Sequence, residues 1–188
     1  ASLSQMMIGS KPSALVHHSR PAGEVVLAVA QLSLPRLDPF GMNLQALDLQ
    51  VRQGEIVGIA GVSGNGQREL LYALSGEDVR AAPAMVLIDG QPAGALAPQR
   101  RRSLGLHFVP EERLGRGAVP TMSLAHNLLL TRTEHVSRGG WLDLNALQAQ
   151  AAGVIARFNV KAGGPQAVAK SLSGGNLQKF IVGRAIAA

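Results

Sequence analysis

The sequence predicts an α/β fold, and three observations carry that prediction. Apolar residues alternate with polar ones over Val25 to Leu34 and over Leu44 to Val51, the pattern of half-buried strands. The run Ile56-Val-Gly-Ile-Ala60 is apolar throughout, as in a strand buried on both faces of a sheet, and it leads into a glycine turn and a helix-like segment. From Glu112 onward the spacing is helical.

The elements follow in order. Gly54-Glu55 turns the second strand into the third, and the segment Glu69-Leu-Leu-Tyr-Ala-Leu74 reads as the helix after the glycine turn. Met85-Val-Leu-Ile-Asp-Gly90 reads as a short strand ending in an Asp-Gly turn to another. Leu104 to Val109 reads as a further core strand. Helices are expected at Leu124 to Leu130 and Leu144 to Phe158, with breaks at Gly139-Gly140 and Gly163-Gly164-Pro165.

Two motifs carry chemistry. The first is Leu172-Ser173-Gly174-Gly175-Asn176-Leu177-Gln178-Lys179. Glycines without Cβ let backbone N–H groups approach a phosphate, Ser173 adds a hydroxyl, and a following helix points its positive end at the anion. Alone, the same letters also describe an ordinary helix cap. The second motif is Gly61-Val62-Ser63-Gly64-Asn65-Gly66-Gln67-Arg68, placed between an apolar strand and a helix that begins near Glu69. Gly61 and Gly66 match the phosphate-loop pattern. The lysine that should reach the phosphates is Gln67, however, and the magnesium-holding hydroxyl is Arg68, so the loop is degenerate.

Together, in that order, the two motifs make the chain resemble a nucleotide-binding domain of an ABC transporter. The closer resemblance is to the second of two fused ATPase domains in importers of sugars and nucleosides, over about Glu24 to the end. It implies a P-loop NTPase core sheet with an antiparallel β subdomain and a helical subdomain. The implied division is 1–23 as the tail of a preceding domain and a linker, 24–111 as β subdomain and phosphate-loop core, 112–171 as helical subdomain, and 172–188 as signature with its helix. The same resemblance makes the chain a fragment ending before the strand whose Asp holds magnesium. The catalytic Glu and switch His of the family are then not in it, no catalytic set is complete, and the fragment alone is expected to be inactive.

The resemblance assigns the remaining roles. Gly61, Ser63, Gly64, Asn65, Gly66, Gln67, Arg68 and Glu69 form the chain's own degenerate loop. Leu172, Ser173, Gly174, Gly175, Asn176 and Gln178 face the ATP of a partner domain. Glu111, in Phe108-Val-Pro-Glu-Glu-Arg113, stands where the family places the glutamine that senses magnesium; a carboxylate can hold a magnesium-bound water but donates no hydrogen bond. ATP and Mg2+ are the implied cofactors of the full assembly, with no metal held by this chain alone. The implied partners are a second ATPase domain fused upstream, membrane permease subunits and a substrate-binding protein, and the implied place is the cytoplasmic face of the plasma membrane, as a peripheral component. Two alternatives stand beside this reading: a non-transport regulatory nucleotide-binding module, and a catalytically dead dimerisation scaffold.

Composition narrows the classes. The 188 residues are 46% hydrophobic, enough for one domain with a sizeable core. The net charge of +6 raises nucleic acid as a partner, but aromatics are only 3% and supply no stacking platform, so nucleic acid is not expected. The densest basic run, Arg100-Arg101-Arg102, reads as a solvated stretch. There is no cysteine for disulfides or thiolate metal sites. No apolar run approaches the roughly 18 residues of a membrane helix. His17 and His18 lack companions for a metal site, His107 and His126 are isolated, and Trp141 reads as a packing anchor. Phe40 lies about where the family stacks an aromatic on adenine.

Overall fold

In the computed structural model, residues 21–132, 137–138 and 141–187 are described, and the expected linker, His17, His18 and Gly139-Gly140 lie largely or wholly outside them. The chain divides into two units, one ending at Ala97 and the other beginning at Pro98.

The first unit is built on the alternating segments. Strand β1 (Val25–Leu34) pairs antiparallel with β2 (Leu44–Arg52), and on its other edge with β3 (Val86–Ile88), which pairs with β4 (Gln91–Pro92). The sheet order is β2-β1-β3-β4. Between β3 and β4, Asp89 and Gly90 both take positive φ (46° and 72°), the tight two-residue turn that Asp-Gly favours.

The β1–β2 register shifts between Val29 and Leu32, where Gln31 adopts φ 49°. Asp48 pins this irregularity, its carboxylate accepting from the Gln31 backbone N–H at 2.8 Å and from Gln31 Nε2 at 2.6 Å. The extra residue resets the alternation, so Val29, Leu32 and Leu34 all turn inward. They meet Leu44, Ala73 and Ala81, with Leu70 and Leu74 of helix α1 (Gln67–Ser75) packed alongside. The acid and base of the Asp78-Val-Arg80 turn form a forked ion pair, and Arg80 Nη2 also donates to the Pro35 carbonyl, closing the loop after β1.

In the second unit, helix α2 (Pro98–Ser103) is followed by α3 (Leu124–Leu129), a two-residue pairing of β5 (Ser137–Arg138) with β6 (Trp141–Leu142), α4 (Leu144–Arg157) and α5 (Gly174–Ile186). Ser123 caps α3 by accepting from the His126 N–H, and Asp143 caps α4 by accepting from the Ala146 N–H. Leu147, Ala151 and Val154 recur at helical spacing on α4, as do Leu177, Phe180, Ile181 and Arg184 on α5. With Leu124, Ala125 and Leu128 the apolar members of these stripes close the unit's core.

Four expectations are corrected. Ile56–Ala60 and Leu104–Val109 are not strands: no described residue pairs with them, and Ile56 and Ile59 are exposed. A strand exists only through its ladder, and neither run has one among the described residues; Leu104 and Gly105 instead close the turn that ends α2, their N–H groups donating to the Arg101 and Arg102 carbonyls. Arg100-Arg101-Arg102 is not simply solvated, because it lies on α2 and Arg101 is fully buried. Trp141 is not a packing anchor but 83% exposed, since Phe180 and the aliphatic and small side chains of α3, α4 and α5 fill the core of its unit.

Candidate phosphate-binding sites

The glycine loop belongs to the first unit. Gly64 and Gly66 take φ of 91° and 95°, values at which a side chain would be strained, and Gly66 stands as the residue before α1 with no side-chain cap. Glu69 in the first turn of α1 complements the helix dipole and accepts the Met42 N–H at 3.2 Å. Arg68 and Ser63 face solvent. Gln67 turns back into the loop: Nε2 donates to the Val62 carbonyl at 3.1 Å, and Oε1 accepts from the Asn65 N–H at 3.1 Å. A Cβ on Gly61 would stand 2.5 Å from Gln67 Nε2, so Gly61 is what gives that amide room. Where the phosphate-loop pattern calls for a lysine, the loop thus holds a neutral amide bonded to its own backbone. Phe40, in the irregular loop after β1, is 95% exposed.

The serine-glycine motif opens α5 in the second unit. Ser173 is the N-cap by backbone conformation, yet its side chain makes no cap bond. Its Oγ accepts instead from Asn176 Nδ2 at 2.9 Å, while Asn176 Oδ1 accepts from the Lys161 N–H at 2.9 Å. Asn176 thereby fixes the hydroxyl as an acceptor and leaves its proton free to donate outward. The first-turn N–H groups lack the side-chain acceptor that usually satisfies one of them. Ser173, Gly174 and Gly175 are all exposed, whereas Leu177 anchors the turn in the core. A Cβ on Gly175 would meet nothing within 4 Å, so no described neighbour requires glycine there; the space is open to an incoming group. Leu172 packs against the core and Gln178 is exposed.

Glu111 is brought to the same helix. With Val109, Pro110, Arg113, Gln178 and Ile181 it lines a cavity of about 410 Å³. Arg113 reaches to the start of α5, where a Cβ on Gly174 would lie 3.0 Å from its Nη1. The sequence pattern assigns Arg113 no role. Two buried groups escaped it altogether: Asn127, whose amide joins Val119, Met122 and Ser123, and Arg184, whose Nη1 and Nη2 donate to the Asn127 and Gly117 carbonyls at 2.7 Å. An isolated Asn or Arg in a helical pattern carries no local signal for these non-local bonds. Among the described residues no group of three or more His, Asp or Glu could hold a metal ion, and no helix is long and apolar enough to cross a membrane.

Comparison with known proteins agrees on the family. The family model described as ABC transporter matches residues 44–188. The glucose import ATP-binding protein TsgD13 of Haloferax volcanii is 38% identical over 99% of this chain and 34% of its own length. The ribose import ATP-binding protein RbsA 1 of Rubrobacter xylanophilus is 37% identical over 97% of the chain and 36% of its length. The nucleoside import ATP-binding protein NupA of Lactococcus lactis subsp. cremoris is 32% identical over 98% of the chain and 37% of its length. The chain thus spans about a third of the length of these relatives. Among solved structures, CbiO1 of Clostridium perfringens, part of the ABC transporter complex CbiONQ, superposes with a TM-score of 0.63 at 14% identity, covering 87% of this chain and 62% of that one. The ATP-binding cassette MJ0796, in a dimeric post-hydrolysis state with ADP and Pi, gives 0.62 at 19%, covering 86% and 69%. Both support the P-loop ATPase fold.

Proposed function

Because the chain belongs to the ABC transporter ATP-binding family, we propose that it is part of the ATP-binding component of an importer for a sugar or nucleoside, and that it serves chiefly through its signature. Ser173, Gly174 and Gly175 complete a hydrolytic site built on the phosphate loop of a second ATPase domain, fused upstream. The observation that carries this reading is the open first turn of α5. Its hydroxyl is oriented by Asn176 with the proton free, and no side chain caps its N–H groups.

The chain's own loop is a poor hydrolytic site in this reading. Gln67 supplies no positive charge to a developing phosphoryl charge, and losing such a cation costs several kcal/mol of barrier. Arg68 is a cation where a magnesium ligand would stand, so the loop does not fit Mg2+ as the family holds it; the metal belongs with the partner's loop. Glu111, exposed beside Gln178, is the residue that couples nucleotide state to the permease subunits. Those subunits and a substrate-binding protein are the remaining partners, and the domain works peripherally at the cytoplasmic face of the membrane. The names of the relatives support the class of cargo.

The test is magnesium-dependent ATP turnover by the full-length protein. Gly174→Asp, which brings bulk and charge to the mouth of the turn, should reduce turnover at least tenfold. Gln67→Ala should leave it within about twofold. Equal losses would make the chain's own loop catalytic, and no loss in either would return the chain to a scaffold.

A further inference from the structure

The last turn of α5 buries a full charge that the signature chemistry does not use. Arg184 is 7% exposed, and burial, with repulsion from Arg102, brings its guanidinium down to about 10, so it stays charged at neutral pH. A buried cation is tolerated only with good acceptors, and its two are the Asn127 and Gly117 carbonyls, both at 2.7 Å.

Gly117 is the informative one. Its N–H donates to the Glu112 carbonyl at 2.9 Å, closing a turn over Glu112 to Gly117. A Cβ there would stand 2.9 Å from the Arg113 carbonyl and 3.0 Å from Ile181 Cδ1, so the turn lies flat against α5. At its start, Arg113 extends to Gly174. The segment next to Glu111 therefore lies along α5, close to Gly174 and Ile181 and hydrogen-bonded by Arg184, positions that span about 15 Å at 1.5 Å per residue.

We infer that Arg184 is a positioning residue for ATP turnover: through the Gly117 carbonyl it fixes the register of the Glu111–Arg113 segment on the signature helix, so that a shift of Glu111 is delivered to Gly174. The inference rests on the proposed roles of Glu111 and the signature. Its geometric core is the fork: one guanidinium spans two carbonyls from different segments, which an ammonium cannot do with the same rigidity.

The experiment uses the full-length protein and reads kcat and KM for MgATP with the melting temperature. Arg184→Lys keeps the charge and loses the fork; it is expected to lower kcat about tenfold with KM within twofold, and to lower the melting temperature by several degrees while the protein stays folded. Arg113→Ala, at an exposed residue, should also lower kcat. Because the two act along one path, the combined variant should lose little more than either alone. Parental kcat in a stable Arg184→Lys, or losses that multiply in the combined variant, would overturn the inference. Should Arg184→Lys fold poorly, parental kcat in Arg113→Ala overturns it alone. Full activity in Gly174→Asp would instead strike the signature reading.

Discussion

Asn127 offers the sharpest test of how the second unit is held together. Its side chain is fully buried, with Oδ1 accepting the Val119 N–H at 2.7 Å and Nδ2 facing the carbonyls of Val119, Met122 and Ser123 at 3.1 to 3.2 Å. Asn127→Leu preserves much of the volume, so the loss is one of hydrogen bonds rather than of packing. The three carbonyls retain other donors, from Met122, Ala169 and the Asn127 backbone, and the Val119 N–H is the group left unpaired. That orphan and the weakened carbonyl bonds amount to about 2 kcal/mol. Asn127→Asp keeps the acceptor for Val119 but places a second oxygen against three carbonyl oxygens in a dry site. At neutral pH it should cost several kcal/mol, more than leucine. Burial raises the introduced carboxyl above the ordinary 3.9 or so, so the unfolded chain holds fewer protons than the native one across that interval and stability recovers as pH falls through the raised value. Hydrogen exchange over residues 119–128, with denaturant unfolding of the full-length protein at pH 7.5 and 5.5, measures both effects. Asn127→Asp no worse than Asn127→Leu at pH 7.5 would refute the donor accounting.

Two further outcomes follow from single contacts. Gly183→Ala should destabilise by about 1–2 kcal/mol, because its Cβ would stand 2.5 Å from Phe158 Cδ2 and this overpacking outweighs a helix-propensity gain of up to about 1 kcal/mol. Partial rescue by Phe158→Leu supports the clash, and a stabilised Gly183→Ala refutes it. The hydrogen bond from the Arg80 side chain holds the Asp78 carboxyl below its ordinary value, so its contribution is complete above about pH 4 and is lost as pH falls through the folded value. Asp78→Asn should therefore flatten the acid limb of urea midpoints between pH 6 and 3; an unchanged slope would dismiss the ion pair as a contributor.

Much of the fold was legible in the letters wherever local physics dominates. Alternation placed β1 and β2, Asp-Gly placed the β3–β4 turn, and helical spacing placed α3 and α4 to within a residue or two. The motifs were legible for the same reason: glycines at Gly64 and Gly66 are written into the sequence because their backbone needs positive φ. The tertiary structure alone decided what depends on partners far along the chain. Ile56–Ala60 and Leu104–Val109 look like core strands by composition, yet a strand is defined by its ladder. Gln67 was legible as a missing lysine, but its return onto Val62 and Asn65 was not. Nor were the burial of Arg101, the amide hub at Asn127 and the fork of Arg184 across Gly117 and Asn127. Periodicity reports the path of the backbone and the hydrophobic face it presents. Where a buried charge or amide finds its acceptors is set by which distant carbonyls packing brings within 3 Å, and no local pattern encodes that distance.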